Sequence, residues 1–435
     1  MDKLVVRGGR PLYGTLDVSG SKNTALALMS AGLLADGTTT IRNVPALRDI
    51  YTFSRVIRVT GAGVEFDEAD HRLEIDGATA SKTVAPYELV KRMRASFYML
   101  GALLGRFGKA RVSLPGGCAW GPRPVDLHIQ GMEALGATID LEDGYVVATA
   151  PGGRLPGGVF ELTPSSVGAT INILLGAVTA SGGSRIENAA KEPDVIDFCM
   201  MLKKMGARIN GVGTRTLEIE GVDALNPVDW TNSPDRIEAG TFMIAAAIAG
   251  RVGETISVRG VNVDHLGTPF MDAMKATGVG LSIQGDTVAI TRPEVLKPVS
   301  IRTDIFPGFP TDLQAQWTVL LACAEGNARI RDTVYLDRFK HIPELRRMNM
   351  NAIVTDGEVV VEGGRQLRGA HVMSTDLRAS VSLVLAGMVA EGETHVLRIY
   401  HLDRGYERLE QKLSAAGADI TRESYDEWAD PEMES

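Results

Sequence analysis

The sequence predicts an α/β protein built from six copies of one unit and divided into two domains of three. Three observations carry this. Six amphipathic stretches end alike, "VTGAGVEF" at Gly61, "ALGATIDL" at Gly136, "KMGARING" at Gly206, "ATGVGLSI" at Gly278, "RMNMNAIV" at Asn349 and "AAGADITR" at Gly417, with 68 to 75 residues between successive copies. The segments upstream of these endings match as well. The length, 435 residues, exceeds one ordinary core and suits two domains. An open solenoid is the competing arrangement, but it would show shorter repeats and distinct capping units, and neither is visible.

In chain order, each unit reads as strand, apolar helix, strand, amphipathic helix and paired strands. "SGSKNTALALMSAGLLADGTTTIRNV" shows the first half: small polar residues, an Ala/Leu run, then glycine and a β-branched strand. "PSSVGATINILLGAVTASGGSRIENA" and "FPTDLQAQWTVLLACAEGNARIRDTV" repeat it, and "MRASFYMLGALLGRFGKARVSLPGG" does so more loosely. The first helix is apolar nearly all round and is expected inside its domain. The second is amphipathic and expected partly exposed. Gly, or Asn349 in the fifth copy, suits the left-handed position that ends it. Lys22, Ser166, Asp235, Thr311 and Asp376 fall at or near the starts of buried helices, where free N–H groups favour anions. Repeat symmetry predicts that several of these starts converge on one cleft.

Composition narrows the partners. A net charge of −9 disfavours nucleic acid, whose binders carry a basic footprint, yet local cations can still hold a small anion. No apolar run reaches the length of a membrane helix, and MDKLVVRGG has no apolar signal region, so a cytoplasmic protein is expected. Cys118, Cys199 and Cys323 are three and far apart, which argues against a disulfide framework. Cys199 and Cys323 sit in apolar runs and read as core. The seven histidines show no metal-ligand spacing, and His128 and His341 read as packed or surface residues. No phosphate loop or dinucleotide fingerprint is present.

The loop "LPGGCAWGPRPVD", residues 114 to 126, stands apart because it sets Cys118 five residues before an arginine, Arg123, flanked by prolines. A lone loop cysteine is more often incidental than catalytic, but a thiol near fixed cations has a perturbed pKa and can act as acid or nucleophile.

Together with "SGSKNTALAL", "MRAS", "PDRIEAGTF", "FPTDLQAQ", "RFKHIPEL" and "DRGYERLEQKL", this loop makes the chain resemble the enolpyruvyl transferase family over residues 1 to 422. The resemblance implies two inside-out α/β domains, each with pseudo-threefold symmetry. One would span 22–232 and carry the cysteine loop; the other would join 1–21 to 233–422, leaving 423–435 as a frayed acidic tail. It implies transfer of the enolpyruvyl group of phosphoenolpyruvate to the 3-hydroxyl of UDP-N-acetylglucosamine, with release of phosphate and with no metal or organic cofactor, in peptidoglycan synthesis and cell wall biogenesis.

By the same resemblance, Cys118 delivers a proton to the methylene carbon of phosphoenolpyruvate and is the group alkylated by fosfomycin, the family's known inhibitor. Asp312 contacts the sugar hydroxyl as candidate proton acceptor, although a carboxylate at a helix start is a weak base, so orientation counts as much. Lys22, Asn23, Arg123 and Arg404 hold phosphoenolpyruvate, with Arg378 and Glu192 as weaker members of the polar network. Arg94, the run Arg123-Pro124-Val125-Asp126-Leu127, Ser165-Ser166-Val167-Gly168, Asp312 and Val334 hold the nucleotide sugar. Singly, each of the charged residues reads more simply as a solvated surface charge or a helix-start acid. Pro164 departs from the family, where many relatives carry a lysine. Two alternatives remain open at this point: the shikimate-pathway enolpyruvyl transferase, which lacks such a cysteine loop, and a catalytically silent nucleotide-sugar-binding paralogue.

Overall fold

The structure, a computed structural model, describes residues 1–91, 93–115 and 125–426. These group into two compact units, one of residues 20–233 and one joining 1–19 to the residues from 234 on.

Among the described residues, six four-stranded sheets share one plan, in which a short first strand pairs parallel to the next and two antiparallel strands follow. Within 20–233, Val159–Glu161 pairs parallel with Gly183–Glu187, which pairs antiparallel with Thr216–Glu220, and Arg208–Asn210 closes the edge. Three sheets are completed by segments distant in sequence. Asp229–Thr231 pairs parallel with Thr38–Arg42, so the end of this unit supplies the first strand of its first sheet. Thr15–Asp17 pairs parallel with Thr255–Arg259, and Asp2–Arg7 lies between Glu393–Leu397 and Asp419–Ser424. The first seventeen residues therefore belong to sheets of the second unit.

One apolar helix per repeat forms the centre of each unit. In the first these are α1 (Lys22–Gly32), α2 (Met99–Phe107) and α3 (Val167–Ala177); in the second, α4 (Arg236–Ala249), α5 (Gln314–Cys323) and α6 (Leu377–Val389). They are buried along nearly their whole length because Ala, Leu, Val and Ile leave no polar face to solvate. Amphipathic helices such as Arg48–Val59 and Pro193–Lys204 bury only one side. Close packing needs small residues at contact points. Gly101 and Gly105 of α2 lie one turn apart, and a Cβ on either would sit 2.2 or 2.3 Å from the carbonyl oxygen of Asn172 or Leu175 in α3. All six repeat endings have positive φ, from 72° at Asn349 to 108° at Gly206, the conformation that Gly and Asn adopt at least cost.

The boundaries differ from the sequence expectation at the tail and at the chain junctions near residues 20 and 233. Residues 423 and 424, expected to open the frayed tail, continue the strand Asp419–Ser424, because their backbone pairs with Lys3 and Asp2. Tyr425 N–H extends the ladder to the Met1 carbonyl at 2.7 Å. At the other junction Gly20 and Ser21 group with the first unit, where Ser21 N–H donates to the Ser233 carbonyl and Asn232 Nδ2 donates to that of Ser21.

Candidate functional site

In the first unit, α1 begins where the Ser21 hydroxyl accepts from Thr24 N–H, which places Lys22 and Asn23 on its opening turn. Asn23 is exposed. Lys22 is largely buried and its Nζ lies 3.3 Å from Oδ2 of Asp49, an acid in the first turn of Arg48–Val59. Thr24 donates its hydroxyl to Asp194 Oδ1 at 2.7 Å, tying α1 to the start of Pro193–Lys204.

Arg94 opens the 3-10 turn Arg94–Tyr98 that leads into α2. Burial and the Asp194 charge push the Tyr98 hydroxyl above its ordinary range, against the opposing pull of Arg94. Arg94 also bears on His128, whose pKa is lowered to about 3 by burial first and by that guanidinium second. The ring is therefore neutral near pH 7, and its tautomer follows from its partners. Asn172 Oδ1 accepts from Gly101 N–H at 2.7 Å, so the Asn172 amide presents Nδ2 to the Phe97 carbonyl and to His128 Nδ1, at 3.0 and 2.9 Å. Nδ1 is then the acceptor and the proton sits on Nε2. That nitrogen has no partner among the described residues and faces α3, where a Cβ on Gly168 would lie 3.4 Å away.

The Ser165–Gly168 run is half-buried at the start of α3, and Ser166 caps the helix by accepting from Ala169 N–H at 3.3 Å. Val125 is buried and immediately precedes Asp126–Ala134, which leaves Asp126 exposed and Leu127 half-buried on its first turn. The three central helices thus begin in one neighbourhood, linked through Asp194, Tyr98, Arg94 and His128. Cys118, Arg123 and Pro124 lie outside the described residues.

In the second unit, α4 and α6 begin at aspartates. Asp235 Oδ1 accepts from Ile237 and Glu238 N–H, and Asp376 Oδ1 from Arg378 and Ala379 N–H. Before α5 the chain makes the 3-10 turn Thr311–Leu313, which holds Asp312. Two guanidiniums converge on a single oxygen of this carboxylate: Arg338 Nη2 at 2.6 Å and Arg378 Nε at 3.1 Å donate to Oδ1. Burial alone would raise the Asp312 pKa, but the two arginines outweigh it and hold the group well below the usual carboxylate range. Arg378 in turn donates to the Tyr406 hydroxyl at 3.4 Å, and Gln316 Nε2 donates to that hydroxyl and to Thr241. These bonds bring the starts of α4, α5 and α6 together.

Val334 is half-buried in the segment after Asn327–Arg331, and its N–H donates to Asp332 Oδ1, so the carbonyl is the backbone group it can offer. Arg404 ends the 3-10 turn Ile399–Arg404, half-buried beside His401, whose pKa it helps to lower after burial. Among the described residues, no group of three or more His, Cys, Asp or Glu could hold a metal ion. No helix among them is long and apolar enough to cross a membrane.

Sequence reasoning passed over Arg338, although it begins the quoted motif "RFKHIPEL", and Asp49 and Asp194, which give no local signal. His128 and His341, left as packed or surface residues, are both buried.

Chemically, the first unit offers cations and uncharged donors at helix starts, and the second offers a carboxylate that stays ionised between two guanidiniums. The family model described as EPSP synthase (3-phosphoshikimate 1-carboxyvinyltransferase) matches residues 6–413. A UDP-N-acetylglucosamine 1-carboxyvinyltransferase of Chloroherpeton thalassium is 52% identical over 434 residues, covering 100% of both chains. One of Chlorobaculum parvum is 51% identical over 430 residues, 99% of this chain and 100% of its own. Among solved structures, the enolpyruvyl transferase NikO from Streptomyces tendae superposes with a TM-score of 0.88 at 29% identity, covering 97% of this chain and 98% of that one. EPSP synthase from Acinetobacter baumannii, at 19% identity and a TM-score of 0.76 over 98% of this chain and 100% of its own, shares the fold. Matched from end to end at half identity, and with that fold, the chain belongs to the enolpyruvyl transferase family.

Proposed function

We propose that this chain transfers the enolpyruvyl group of phosphoenolpyruvate to the 3-hydroxyl of UDP-N-acetylglucosamine and releases phosphate, the first committed step of peptidoglycan synthesis. The observation that carries this is the 52% identity, over the full length of both chains, with a relative of that activity. The reaction is an addition followed by an elimination. The sugar oxygen bonds to C2 of phosphoenolpyruvate while C3 gains a proton; phosphate then leaves C2 as C3 gives a proton back. Both steps are polar and need no redox group. Both substrates are charged, water-soluble molecules, so the reading sites the reaction in the cytoplasm.

In this reading Cys118 is the acid that protonates C3, and Lys22, Asn23, Arg123 and Arg404 hold the phosphate and carboxylate of phosphoenolpyruvate. Arg94, Arg123 to Leu127, Ser165 to Gly168 and the Val334 carbonyl bind the nucleotide sugar. Asp312 acts chiefly by orienting the hydroxyl. With its pKa held down by Arg338 and Arg378, its ionised form is a hydrogen-bond acceptor of low basicity. Phosphate release with UDP-N-acetylglucosamine and with shikimate 3-phosphate as alternative acceptors tests the assignment. Release with the nucleotide sugar alone is expected; release with shikimate 3-phosphate alone would transfer the chain to the shikimate branch.

A further inference from the structure

Asp332 is fully buried and has no role in the reaction as read above, yet its carboxylate joins two segments that do. Oδ1 accepts from the Thr303 hydroxyl at 2.8 Å and from Val334 and Tyr335 N–H at 3.0 and 2.9 Å. Oδ2 accepts from the Thr311 hydroxyl at 2.7 Å. Thr311 has one hydrogen to give, and a carboxylate can only accept, so that hydrogen points at Asp332. Its lone pairs are then left for Arg338, whose Nη1 donates at 3.1 Å while Nη2 of the same guanidinium holds Asp312. Asp332 thus fixes the polarity of a three-step relay, Asp332 to Thr311 to Arg338 to Asp312, and at the same time caps the turn that carries Val334.

We infer that Asp332 is a positioning residue for the sugar acceptor, setting Arg338 against Asp312 through Thr311 and aiming the Val334 carbonyl through the turn. The inference rests on the proposed roles of Asp312 and Val334. It differs from a simple structural cap in one respect: the relay can be broken with the turn intact. In Asp332→Asn the amide oxygen keeps the bonds to Thr303, Val334 and Tyr335, and Nδ2 replaces Oδ2. An N–H now faces Thr311, so the hydroxyl hydrogen loses its acceptor and is no longer held away from Arg338.

The test is steady-state phosphate release with phosphoenolpyruvate and UDP-N-acetylglucosamine for the parent, Asp332→Asn, Thr311→Val, Thr311→Ser and the double variant Asp332→Asn/Thr311→Val. Asp332→Asn and Thr311→Val are each expected to raise KM for UDP-N-acetylglucosamine and lower kcat by about tenfold, since small displacements of positioning groups cost that much or more. The KM for phosphoenolpyruvate should stay near the parent value, Thr311→Ser should restore activity, and the double variant should be no worse than either single one. Thr311→Val carries the test alone if Asp332→Asn does not fold. Parent kinetics in Thr311→Val, additive losses, or equal losses for both substrates that track a lowered unfolding midpoint would overturn the inference. A parent inactive with UDP-N-acetylglucosamine would instead refute the proposed function and take this inference with it.

Discussion

Ser21 and Ser166 begin two of the central helices of the first unit, whereas Asp235 and Asp376 begin two of those in the second. The third helix of each set follows a 3-10 turn, which carries Arg94 in one and Asp312 in the other. The repeat and the helices are alike, but the residues that cap these starts are neutral in one unit and anionic in the other. A serine cap satisfies one N–H and leaves the positive end of the helix dipole to attract an external anion. An aspartate cap supplies its own anion and spends that field internally. In the proposed function the helix starts of the first unit add to Lys22 and Arg94 as a place for negative ligand groups, with Lys22 shared with Asp49. In the second, Asp235 and Asp376 use theirs, and the charge that matters is the balance of Arg338 and Arg378 against Asp312. One fold has been given two chemistries by changing a few residues at equivalent positions.

The largest expected effect comes from upsetting that balance. Asp312→Asn leaves two partly buried guanidiniums facing each other without their shared counter-ion. Turnover should fall by about a hundredfold or more, and stability by about 2 kcal/mol, less than for a fully buried pair because Asp312 keeps some exposure. Lys22→Met, in the first unit, should weaken phosphoenolpyruvate use with a smaller loss of stability, because its contact with the Asp49 carboxylate is longer, at 3.3 Å, and Asp49 keeps a further interaction. Urea unfolding and phosphate release on both variants check this, and equal stability losses would break the comparison.

A feature common to both units gives the next effect. His128 in one and His341 in the other are buried and neutral, with pKa values lowered to about 3 and about 4, in each case mainly by burial. Their contribution to stability is complete above the unfolded value near 6.5 and is lost as pH falls through the window from about 6.5 toward the folded values, because only the unfolded chain takes up those protons. Each histidine should add about 1.4 kcal/mol per pH unit to the slope there. Unfolding free energies from pH 7 to pH 4.5 should show the decline, and His128→Gln should reduce its slope by one proton's worth. An unchanged slope would mean that His128 is protonated in the folded state.

The smallest effect probes the serine-capped side. In Gly168→Ala the new Cβ would sit 3.3 to 3.4 Å from Cε1 and Nε2 of His128, tight enough to shift the ring or the turn by a few tenths of an ångström. A rise of about threefold in KM for UDP-N-acetylglucosamine is expected, with kcat and the unfolding midpoint nearly unchanged. Isothermal titration with the nucleotide sugar reads it directly, and unaltered affinity would remove the start of α3 from the sugar-binding surface.

The sequence showed the repeat plainly. Six glycine or asparagine positions, six nearly all-apolar helices and their partner strands follow from local chemistry, because left-handed backbone and full burial each demand a narrow set of residues. The strands that complete three sheets were less legible. Thr15–Asp17 and Asp229–Thr231 are only three residues long, and they and Asp2–Arg7 pair with segments far along the chain, as Asp2–Arg7 does with Glu393–Leu397. Site residues divide in the same way. Lys22, Asp312 and Arg378 stand at helix starts that periodicity marks, whereas Arg338 earns its place only through a bond to Asp312, 26 residues away. The His128 tautomer depends on Asn172, 44 residues away and in a different repeat, and no local pattern encodes such a pairing.

Phosphate release with phosphoenolpyruvate and UDP-N-acetylglucosamine together, and then with each omitted in turn, tests the proposed reaction most directly. Release is expected only when both are present, in step with formation of an enolpyruvyl ether of the nucleotide sugar seen by mass spectrometry. No release from the complete mixture, or equal release from phosphoenolpyruvate alone, would contradict it.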